Sequence, residues 1–213
     1  LLYKMASDPK KILQKIFATN RRILINHSIS SIEIKKSWKR ILVVGAGNDP
    51  YRDLFGELEV YARLDIVVKI EKVDIVADAH YLPFDNNSFD CIMAIEVFEH
   101  LENPERFINE AYRVLNTSGS IFLSVPFLFH EHGDPYDYWR PTKFKLEKCF
   151  NKFSILEIIS QGTRLHVISD LITTSSSIFG LLRFFRIINH LINLFKYKKE
   201  TSAPSGYFIK ATK

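Results

Sequence analysis

Short runs of apolar and β-branched residues alternate with segments of helical periodicity from about residue 40 to the end of the chain. Short apolar runs are typical of buried strands, and strands that alternate with helices are typical of a parallel sheet covered on both faces. We predict strands at 41–44, 59–64, 73–77, 89–95, 120–125, 153–159 and 206–211. The predicted fold class is α/β, with a doubly wound, mostly parallel sheet.

Individual residues predict where the helices begin and end. Asp49 and Pro50 favour a helix start after the first strand, since Asp caps exposed N–H groups and Pro is tolerated at the first helical position. Asn103 and Thr142 predict two further starts, and Gly119 predicts the end of the helix that Asn103 begins.

The length and composition fit one domain. A chain of 213 residues, 46% of them hydrophobic, is long enough to bury a full core. We therefore predict a single domain over 1–213, with 1–40 as an N-terminal helical cover and 164–200 as a helical insertion before the last strand. Two cysteines are too few for a disulfide framework, which favours a reducing, cytoplasmic location.

The formal net charge of +5 is unevenly distributed along the chain. Segment 1–40 carries ten Lys and Arg against two acidic residues, and 183–213 carries seven against one, while the middle is acidic. Basic ends are typical of a solvated face, of nucleic-acid binding or of contact with an anionic membrane.

The segment 184–197 predicts an amphipathic helix. Its apolar residues occupy half of the circumference, opposite Arg186, Asn189, His190 and Asn193. These polar interruptions argue against a membrane span. Such a helix covers a core, forms a homodimer interface or lies on an anionic bilayer, here at the inner membrane surface.

The first predicted strand runs into the loop Gly45-Ala46-Gly47. Glycine lets a ligand approach the backbone closely, because no Cβ stands in the way. Asp65 ends the next predicted strand, where a carboxylate can accept hydrogen bonds from both hydroxyls of a ribose. A nicotinamide dinucleotide would also suit this arrangement, but its fingerprint needs a third glycine where this chain has Pro50.

Three later segments carry a more specific pattern. The chain reads DAHYLPFDNNSFD at 78–90, EVFEHL at 96–101 and RVL at 113–115. In this order they resemble class I S-adenosylmethionine-dependent methyltransferases of the type 11 group, over roughly 40–126. The resemblance implies a Rossmann-like fold with an antiparallel last strand, S-adenosylmethionine as the cofactor and methyl transfer as the activity.

The resemblance also implies where the cofactor binds. It places Gly45, Ala46 and Gly47 at the methionine part, Asp65 at the ribose, Asp78 and Ala79 at the adenine edge, and Glu96 near the methionine group. The alternative role for Asp65 and Asp78 is to cap strand ends. The chain departs from the family at Val43, where an acidic residue often stands two positions before the first glycine.

The segment HEHGDPYDYWRPT at 130–142 follows the predicted fifth strand, where this kind of fold opens its substrate cleft. It resembles a stretch of type 11 methyltransferases that accompany cell-surface glycan synthesis. Aromatic rings stack on sugars, and Arg grips anions with two N–H groups. We predict four acceptor-binding residues, Asp137, Tyr138, Trp139 and Arg140. The structural alternative is a latch between Arg140 and Asp137 or Asp134.

Two histidines of the same segment, His130 and His132, are the predicted catalytic residues. A hydroxyl acceptor gains ~10²–10⁴-fold from a positioned base, whereas an amine acceptor need not use one. A histidine pair can also bind a metal ion, but no third ligand is evident in the sequence, so no metal site is predicted.

The leading functional prediction is methyl transfer to a small-molecule or glycan-like acceptor, on oxygen. A nucleic-acid methyltransferase is the first alternative because of the basic ends, although the chain reads EVFE at 96–99 instead of Asn-Pro-Pro-aromatic. A non-catalytic module that binds adenosylmethionine is the second alternative, and its support is Val43.

Overall fold

The computed structural model describes residues 9–47, 49–67, 73–174, 185–194 and 203–213. The strands are β1 Arg40–Val44, β2 Val60–Asp65, β3 Ile75–Val76, β4 Phe89–Ile95, β5 Leu115–Pro126, β6 Ile155–Gln161 and β7 Gly206–Thr212. The helices are α1 Pro9–Ile16, α2 Asn20–Ser30, α3 Pro104–Val114, α4 Lys143–Cys149, α5 Arg164–Thr174 and α6 Ile187–Leu194.

The strands form one sheet in the order β3-β2-β1-β4-β5-β7-β6. Neighbours from β3 to β5 pair in parallel, whereas β5, β7 and β6 run antiparallel. The strand order reverses between β1 and β4, and in such sheets ligands bind at this switch point, beyond the carboxyl ends of the strands. The predicted doubly wound α/β class with an antiparallel last strand is confirmed.

The described residues group into two compact units. The helical unit takes its residues from Leu1–Ser31, Leu128–His130 and Ser160–Gly206. The sheet unit takes its residues from Ile32–Phe127, Glu131–Ile159 and Tyr207–Lys213. The single domain of the sequence analysis remains a prediction.

The core of the sheet unit follows from the apolar runs that predicted its strands. The side chains of Ile41, Ile92 and Leu123, on the three central parallel strands, are fully buried. Phe107 and Ala111 on α3 are equally buried, since that helix turns its apolar face inward. Burial of this kind contributes roughly 1.5–3 kcal/mol for each large side chain, which fixes the strand ends that carry the site.

The predicted helix after β1 is wrong. Among the described residues between β1 and β2, the helical element is a single 3-10 turn, Arg52–Leu54. Asp49 has φ +41°, and its Oδ1 accepts hydrogen bonds from the Tyr51 amide, 3.2 Å away, and the Tyr61 hydroxyl, 2.8 Å away. The carboxylate therefore closes a local turn instead of capping a helix.

The junction between α3 and β5 also differs from the prediction. The caps hold, because the Asn103 and Thr142 side chains accept hydrogen bonds from the amides three residues later. However, α3 ends at Val114 and β5 begins with the next residue, so Gly119 lies inside a strand. A Cβ at Gly119 would stand 2.8 Å from a backbone oxygen, which makes this glycine a requirement of the strand and not a helix stop.

In the helical unit, α6 has the opposite orientation from an ordinary amphipathic helix. Its polar side faces inward: Asn189 is fully buried, and its Oδ1 accepts hydrogen bonds from Asn20 and Ser169 at 2.8 and 2.6 Å. Its apolar side chains at 187, 188, 191 and 194 are exposed. Residues 184 and 195–197 of the predicted helix lie outside the described residues. Of the helices described, none is long and apolar enough to cross a membrane.

Arg113 on α3 holds the segment that follows β3. Its guanidinium donates to the backbone oxygens of Phe84 and Leu82, at 2.7 and 2.9 Å, and to both carboxylate oxygens of Glu110. Glu110 in turn accepts from the Leu82 amide at 3.0 Å. The hydrogen bond from Arg113 lowers the pKa of Glu110 below its usual value.

Replacing Glu110 by Gln should lower the melting temperature at pH 7 by a few degrees, since 1 kcal/mol corresponds to ~2–4 °C for a chain of this size. A carboxyl whose folded pKa is depressed stabilises the fold above its unfolded pKa of about 4.3, and this is lost as the pH falls through the folded value. Calorimetry at pH 7 and at about pH 3.5 should therefore show the difference shrinking in acid. An equal difference at both pH values would show that the carboxylate charge contributes nothing.

Candidate cofactor and acceptor site

The loop after β1 has the conformation that only glycine adopts easily. Gly45 and Gly47 have φ of +62° and +48°, and Ala46 between them is buried and donates its amide to Leu64 at 3.1 Å. A Cβ at Gly45 would stand 2.3 Å from Val97 Cγ2, so this glycine is required for packing. Around the corresponding position at Gly47, no described atom lies within 4 Å. This open side suits close approach of a ligand.

Asp65, at the end of β2, ties this loop to the strand edge. Its Oδ2 accepts the Gly47 amide at 3.0 Å, and its Oδ1 accepts the Val67 amide at 3.1 Å. A carboxylate has about four lone-pair sites, so each oxygen retains capacity for one further hydrogen bond. The arrangement fits both predicted roles, since the side chain caps the strand end and can also receive the two hydroxyls of a ribose.

Asp78, after β3, faces a histidine. Its Oδ1 accepts from the backbone amide of His80 at 2.9 Å and lies 2.6 Å from the Nδ1 of the same residue. The Nε2 of His80 accepts the Asn103 amide at 3.1 Å, which places the ring proton on Nδ1. Ala79 is buried, while the Asp78 side chain remains 45% exposed. Asp78 thus caps a turn and still has an exposed side that a purine can contact.

Glu96 ends β4 beside the glycine loop. Its backbone has φ +56°, uncommon for a residue with a side chain, and its amide donates to the Ser124 hydroxyl at 3.1 Å. The same hydroxyl donates to Glu96 Oε1 at 2.8 Å. Ser124 therefore fixes both the backbone and the carboxylate of Glu96 at the switch point.

The loop that follows β5 is anchored on the segment after β4. The amides of Tyr138 and Trp139 donate to the Glu99 carbonyl, at 2.8 and 3.3 Å, and the Trp139 indole N–H donates to Leu101 at 2.8 Å. The Trp139 ring packs against the core, while the Tyr138 ring is exposed with its hydroxyl 3.4 Å from Glu102. Trp139 thus positions the loop, and Tyr138 offers the more accessible aromatic surface.

The latch between Arg140 and Asp137 is present. Both terminal nitrogens of Arg140 donate to the Asp137 carboxylate, each at 2.6 Å, and one also donates to the Trp139 carbonyl at 2.8 Å. Burial would raise the pKa of Asp137, but hydrogen bonds from Arg140 and His132 outweigh burial and lower it. The hydrogen bond to Asp137 raises the pKa of Arg140, and the charges of Glu99 and Glu96 raise it further. This guanidinium therefore lies within electrostatic reach of Glu99 and of Glu96.

The two predicted catalytic histidines belong to different units. His130 lies in the helical unit, with its Nδ1 3.1 Å from the Thr174 hydroxyl. His132 lies in the sheet unit, where its amide donates to Asp137 at 2.8 Å and its Nδ1 lies 3.5 Å from the same carboxylate. The sheet unit therefore associates His132, and not His130, with the other residues of the loop.

Two residues that the sequence analysis did not assign lie against His132. Its Nε2 is 3.7 Å from Glu99 Oε1, and the Nε2 of His100 is 3.8 Å from the same oxygen. Glu99 and His100 thus lie near His132, although the sequence analysis found no third ligand for the pair of His130 and His132, and the absence of a metal site remains a prediction. The cluster is not evident in the sequence because 33 positions separate Glu99 from His132 and the docked loop brings them together. The adjacent Glu99-His100 pair after β4 was the available signal.

Comparison with known proteins finds similarity to one family model over part of the chain. The family model described as "Methyltransferase domain", of the type 11 group, matches residues 54–123. This range runs from the end of the 3-10 turn through β2, β3, β4 and α3 into β5, and it holds Asp65, Asp78 and Glu96.

Two relatives match parts of the chain. An uncharacterized protein of Methanocaldococcus jannaschii is 34% identical over 85 residues, 40% of this chain and 41% of that protein. The ajmaline N-methyltransferase of Rauvolfia serpentina is 36% identical over 59 residues, 28% of this chain and 19% of that protein. The chain thus matches less than half of the length of either relative.

One solved structure matches almost the whole chain. It is an S-adenosylmethionine-dependent methyltransferase from Archaeoglobus fulgidus, with a TM-score of 0.61, 19% identity and coverage of 97% of this chain and 100% of that one. This similarity shows that the chain has the fold of class I methyltransferases. The similarity to the type 11 family model extends over residues 54–123, about a third of the chain.

Proposed function

We propose that this protein transfers the methyl group of S-adenosylmethionine to an oxygen of a polar small-molecule or glycan-like acceptor. The observation that carries the proposal is the position of His132. It stands on the loop after β5, beside Glu99 and Asp137, and that loop is anchored directly behind β4, whose end carries Glu96.

The cofactor side of the proposed site is preorganised by backbone geometry. Bound S-adenosylmethionine supplies a methyl group on a positively charged sulfur. Gly45 lets the loop pack closely against Val97, and Gly47 leaves space beside the loop for the cofactor. Asp65 receives the ribose hydroxyls, and Asp78 with Ala79 borders the adenine. Glu96, held by Ser124, places a carboxylate at the methionine end. Positions fixed by strands and hydrogen bonds favour in-line transfer, because alignment accounts for much of the rate.

On the acceptor side, the hydroxyl oxygen forms a bond to the methyl carbon while the carbon–sulfur bond breaks and sulfur keeps the electron pair. The hydroxyl proton must leave, and His132 is the residue that promotes its departure. Tyr138 offers a ring for the acceptor, whereas Asp137 and Arg140 hold the loop and orient His132. An amine acceptor would use its own lone pair and would depend less on His132.

The acceptor assignment is tested by methyl transfer to a panel of acceptors. We expect the full chain, incubated with methyl-labelled adenosylmethionine, to label hydroxylated sugars or nucleotide sugars, with the position identified by mass spectrometry. Labelling of amines alone would contradict oxygen transfer and would match the similarity to ajmaline N-methyltransferase. Labelling of RNA alone would favour a nucleic-acid methyltransferase. Absence of methylated product despite cofactor binding would favour a non-catalytic module that binds adenosylmethionine.

We also propose that the helical unit contacts an anionic membrane surface. Three helices expose large apolar side chains: Ile12, Leu13 and Ile16 on α1, Leu165, Ile168, Leu171 and Ile172 on α5, and Ile187, Ile188, Leu191 and Leu194 on α6. The N-terminal segment that includes α1 is strongly basic. An apolar surface beside positive charge binds at the interface of an anionic bilayer.

For this contact, we expect wild-type protein to co-sediment with anionic vesicles at low salt. Replacing both Leu171 and Leu191 by Gln should weaken binding at least tenfold, because each buried leucine contributes ~1.5–3 kcal/mol. Phe144→Gln is the matched control, since Phe144 is 75% exposed but lies in the sheet unit. Equal loss in the control, or wild-type protein that remains in the supernatant, would contradict the contact. Concentration-dependent dimers that dissociate in the double variant would assign the surface to a homodimer.

A further inference from the structure

Glu99, His100 and His132 bring three metal-ligating atoms together in the sheet unit. All three atoms lie within 4.8 Å of one another, and each Nε2 is 3.7–3.8 Å from Glu99 Oε1. Two ligand atoms that share an ion at ~2.1 Å stand roughly 3–3.4 Å apart in octahedral or tetrahedral geometry. Closing the group around one ion would shorten each distance to Glu99 by a few tenths of an ångström. The separation of the two imidazole nitrogens, which is at most 4.8 Å, would shorten by up to about 1.8 Å.

Hydrogen bonding presents the correct nitrogen of each ring to this group. His100 Nδ1 lies 2.5 Å from the Tyr136 carbonyl oxygen, which can only accept, so Nδ1 carries the proton and Nε2 keeps its lone pair. His132 Nδ1 lies 3.5 Å from Asp137 Oδ2, an oxygen that also accepts the His132 amide, so a proton on Nδ1 and a free lone pair on Nε2 are favoured. In metal sites, the ring nitrogen of a ligating histidine that does not contact the metal typically donates to a carboxylate or a backbone carbonyl, which fixes the orientation of the ring.

The burial of the three side chains leaves room for a ligand on one side. Glu99 is fully buried, whereas the side chains of His100 and His132 are 30% and 31% exposed. An ion bound here would have the carboxylate behind it and open coordination positions on the exposed side. The backbone at Gly133 also approaches the His100 ring closely, since a Cβ there would stand 3.0 Å from His100 Cε1.

We propose that Glu99, His100 and His132 bind one divalent transition-metal ion of the Mn²⁺ or Zn²⁺ type. Two imidazoles and one carboxylate suit such ions better than Mg²⁺ or Ca²⁺, which prefer oxygen ligands. The alternative is that the cluster is purely structural, with Arg140 as the counter-charge for Glu99.

The ion would explain how His132 promotes loss of the hydroxyl proton, and this step rests on the proposed function. A divalent cation lowers the pKa of an oxygen that it contacts. The acceptor hydroxyl would release its proton to solvent, the new carbon–oxygen bond would form, and the carbon–sulfur bond would break with its electron pair on sulfur. No oxidant or reductant is involved.

The test measures metal binding directly, without cofactor or acceptor. Full-length protein without a polyhistidine tag is stripped with EDTA and titrated with Mn²⁺, which is followed by electron paramagnetic resonance, and Zn²⁺ is then added as a competitor. We expect one Mn²⁺ per chain, displaced by Zn²⁺, which binds such donors more tightly. Glu99→Gln and His100→Gln should each weaken Mn²⁺ binding tenfold or more, whereas His27→Gln, an exposed histidine on α2, should not change it.

Three outcomes would overturn the proposal: no stoichiometric binding of either ion to the wild type, equal binding by the cluster variants, or equal loss in His27→Gln. Circular dichroism shows whether each variant folds. If Glu99→Gln does not fold, the comparison of Mn²⁺ binding by the wild type and by His100→Gln tests the proposal. Failure here would not affect the proposed function. If EDTA-treated protein still methylates hydroxyls and still needs His132, then His132 acts without an ion.

Discussion

Replacing His132 by Gln should lower the turnover of a hydroxyl acceptor by ~10²–10⁴-fold, the contribution expected from the group that promotes proton loss. The affinity for S-adenosylmethionine should stay unchanged, because the cofactor residues are held by backbone and by Ser124. Gln keeps most of the volume of the ring, and the His132 contact that holds the loop is its backbone amide. Labelled methyl transfer gives the turnover, and calorimetry gives the affinity.

The control for this variant is His130→Gln. His130 is the other predicted histidine, but it lies in the helical unit with Thr174 as its neighbour. We expect it to retain most of the turnover. If both substitutions abolished transfer equally, the assignment of His132 alone would be wrong, and unchanged turnover in His132→Gln would remove it from the reaction.

Replacing Asp65 by Asn should weaken the binding of S-adenosylmethionine at least tenfold. The carboxylate would accept two ribose hydroxyls, and hydrogen bonds to a charged group contribute ~1.5–3 kcal/mol each. Asn offers a single acceptor oxygen, while Asp65 already uses both of its oxygens for backbone amides at 3.0 and 3.1 Å. The variant therefore loses charge and acceptor capacity together. Isothermal titration measures the change.

The matched control is Asp74→Asn. Asp74 also accepts a backbone amide, that of Arg63, and forms an ion pair with the Arg63 side chain at 2.7 Å. It lies on the neighbouring segment before β3, so its loss should leave cofactor affinity unchanged. A smaller effect at Asp65 than at Asp74 would assign Asp65 to strand capping alone.

The parts of the fold that sequence predicts well are those where one local rule dominates. The buried apolar runs predict β1, β4 and β5, and α3 lies between β4 and β5. The helix caps at Asn103 and Thr142 form as expected. The carboxyl ends of parallel strands meet at one edge, so the sequence alone associates the glycine loop with the acid at the end of β2.

Prediction failed where two local rules compete. Asp49 can cap a helix or close a turn with its own backbone, and the hydroxyl of the half-buried Tyr61 at 2.8 Å favours the turn. Gly119 resembles a helix stop, yet pairing of Leu115 with Phe89 extends β5 back to the end of α3. In both places tertiary contacts determine which option the chain adopts.

The contacts of the acceptor loop depend on long-range docking, which sequence periodicity does not encode. Trp139 looks like a stacking residue in the sequence, but its indole N–H is bonded to Leu101 and its ring packs on the core. Glu99 and His132 become neighbours through the same docking. Sequence singled out the loop as an acceptor site, which remains a prediction, and the structure shows which of its residues anchor it.

Calorimetric titration of the purified chain with competing ligands tests most directly whether the switch-point loops bind S-adenosylmethionine. The structure predicts saturable binding, at one site per chain, of S-adenosylmethionine and of its demethylated product S-adenosylhomocysteine. NAD should not compete, since the loop carries Pro50 where a dinucleotide site needs glycine. Preferential binding of NAD, or absence of binding by either adenosyl compound, would contradict the account.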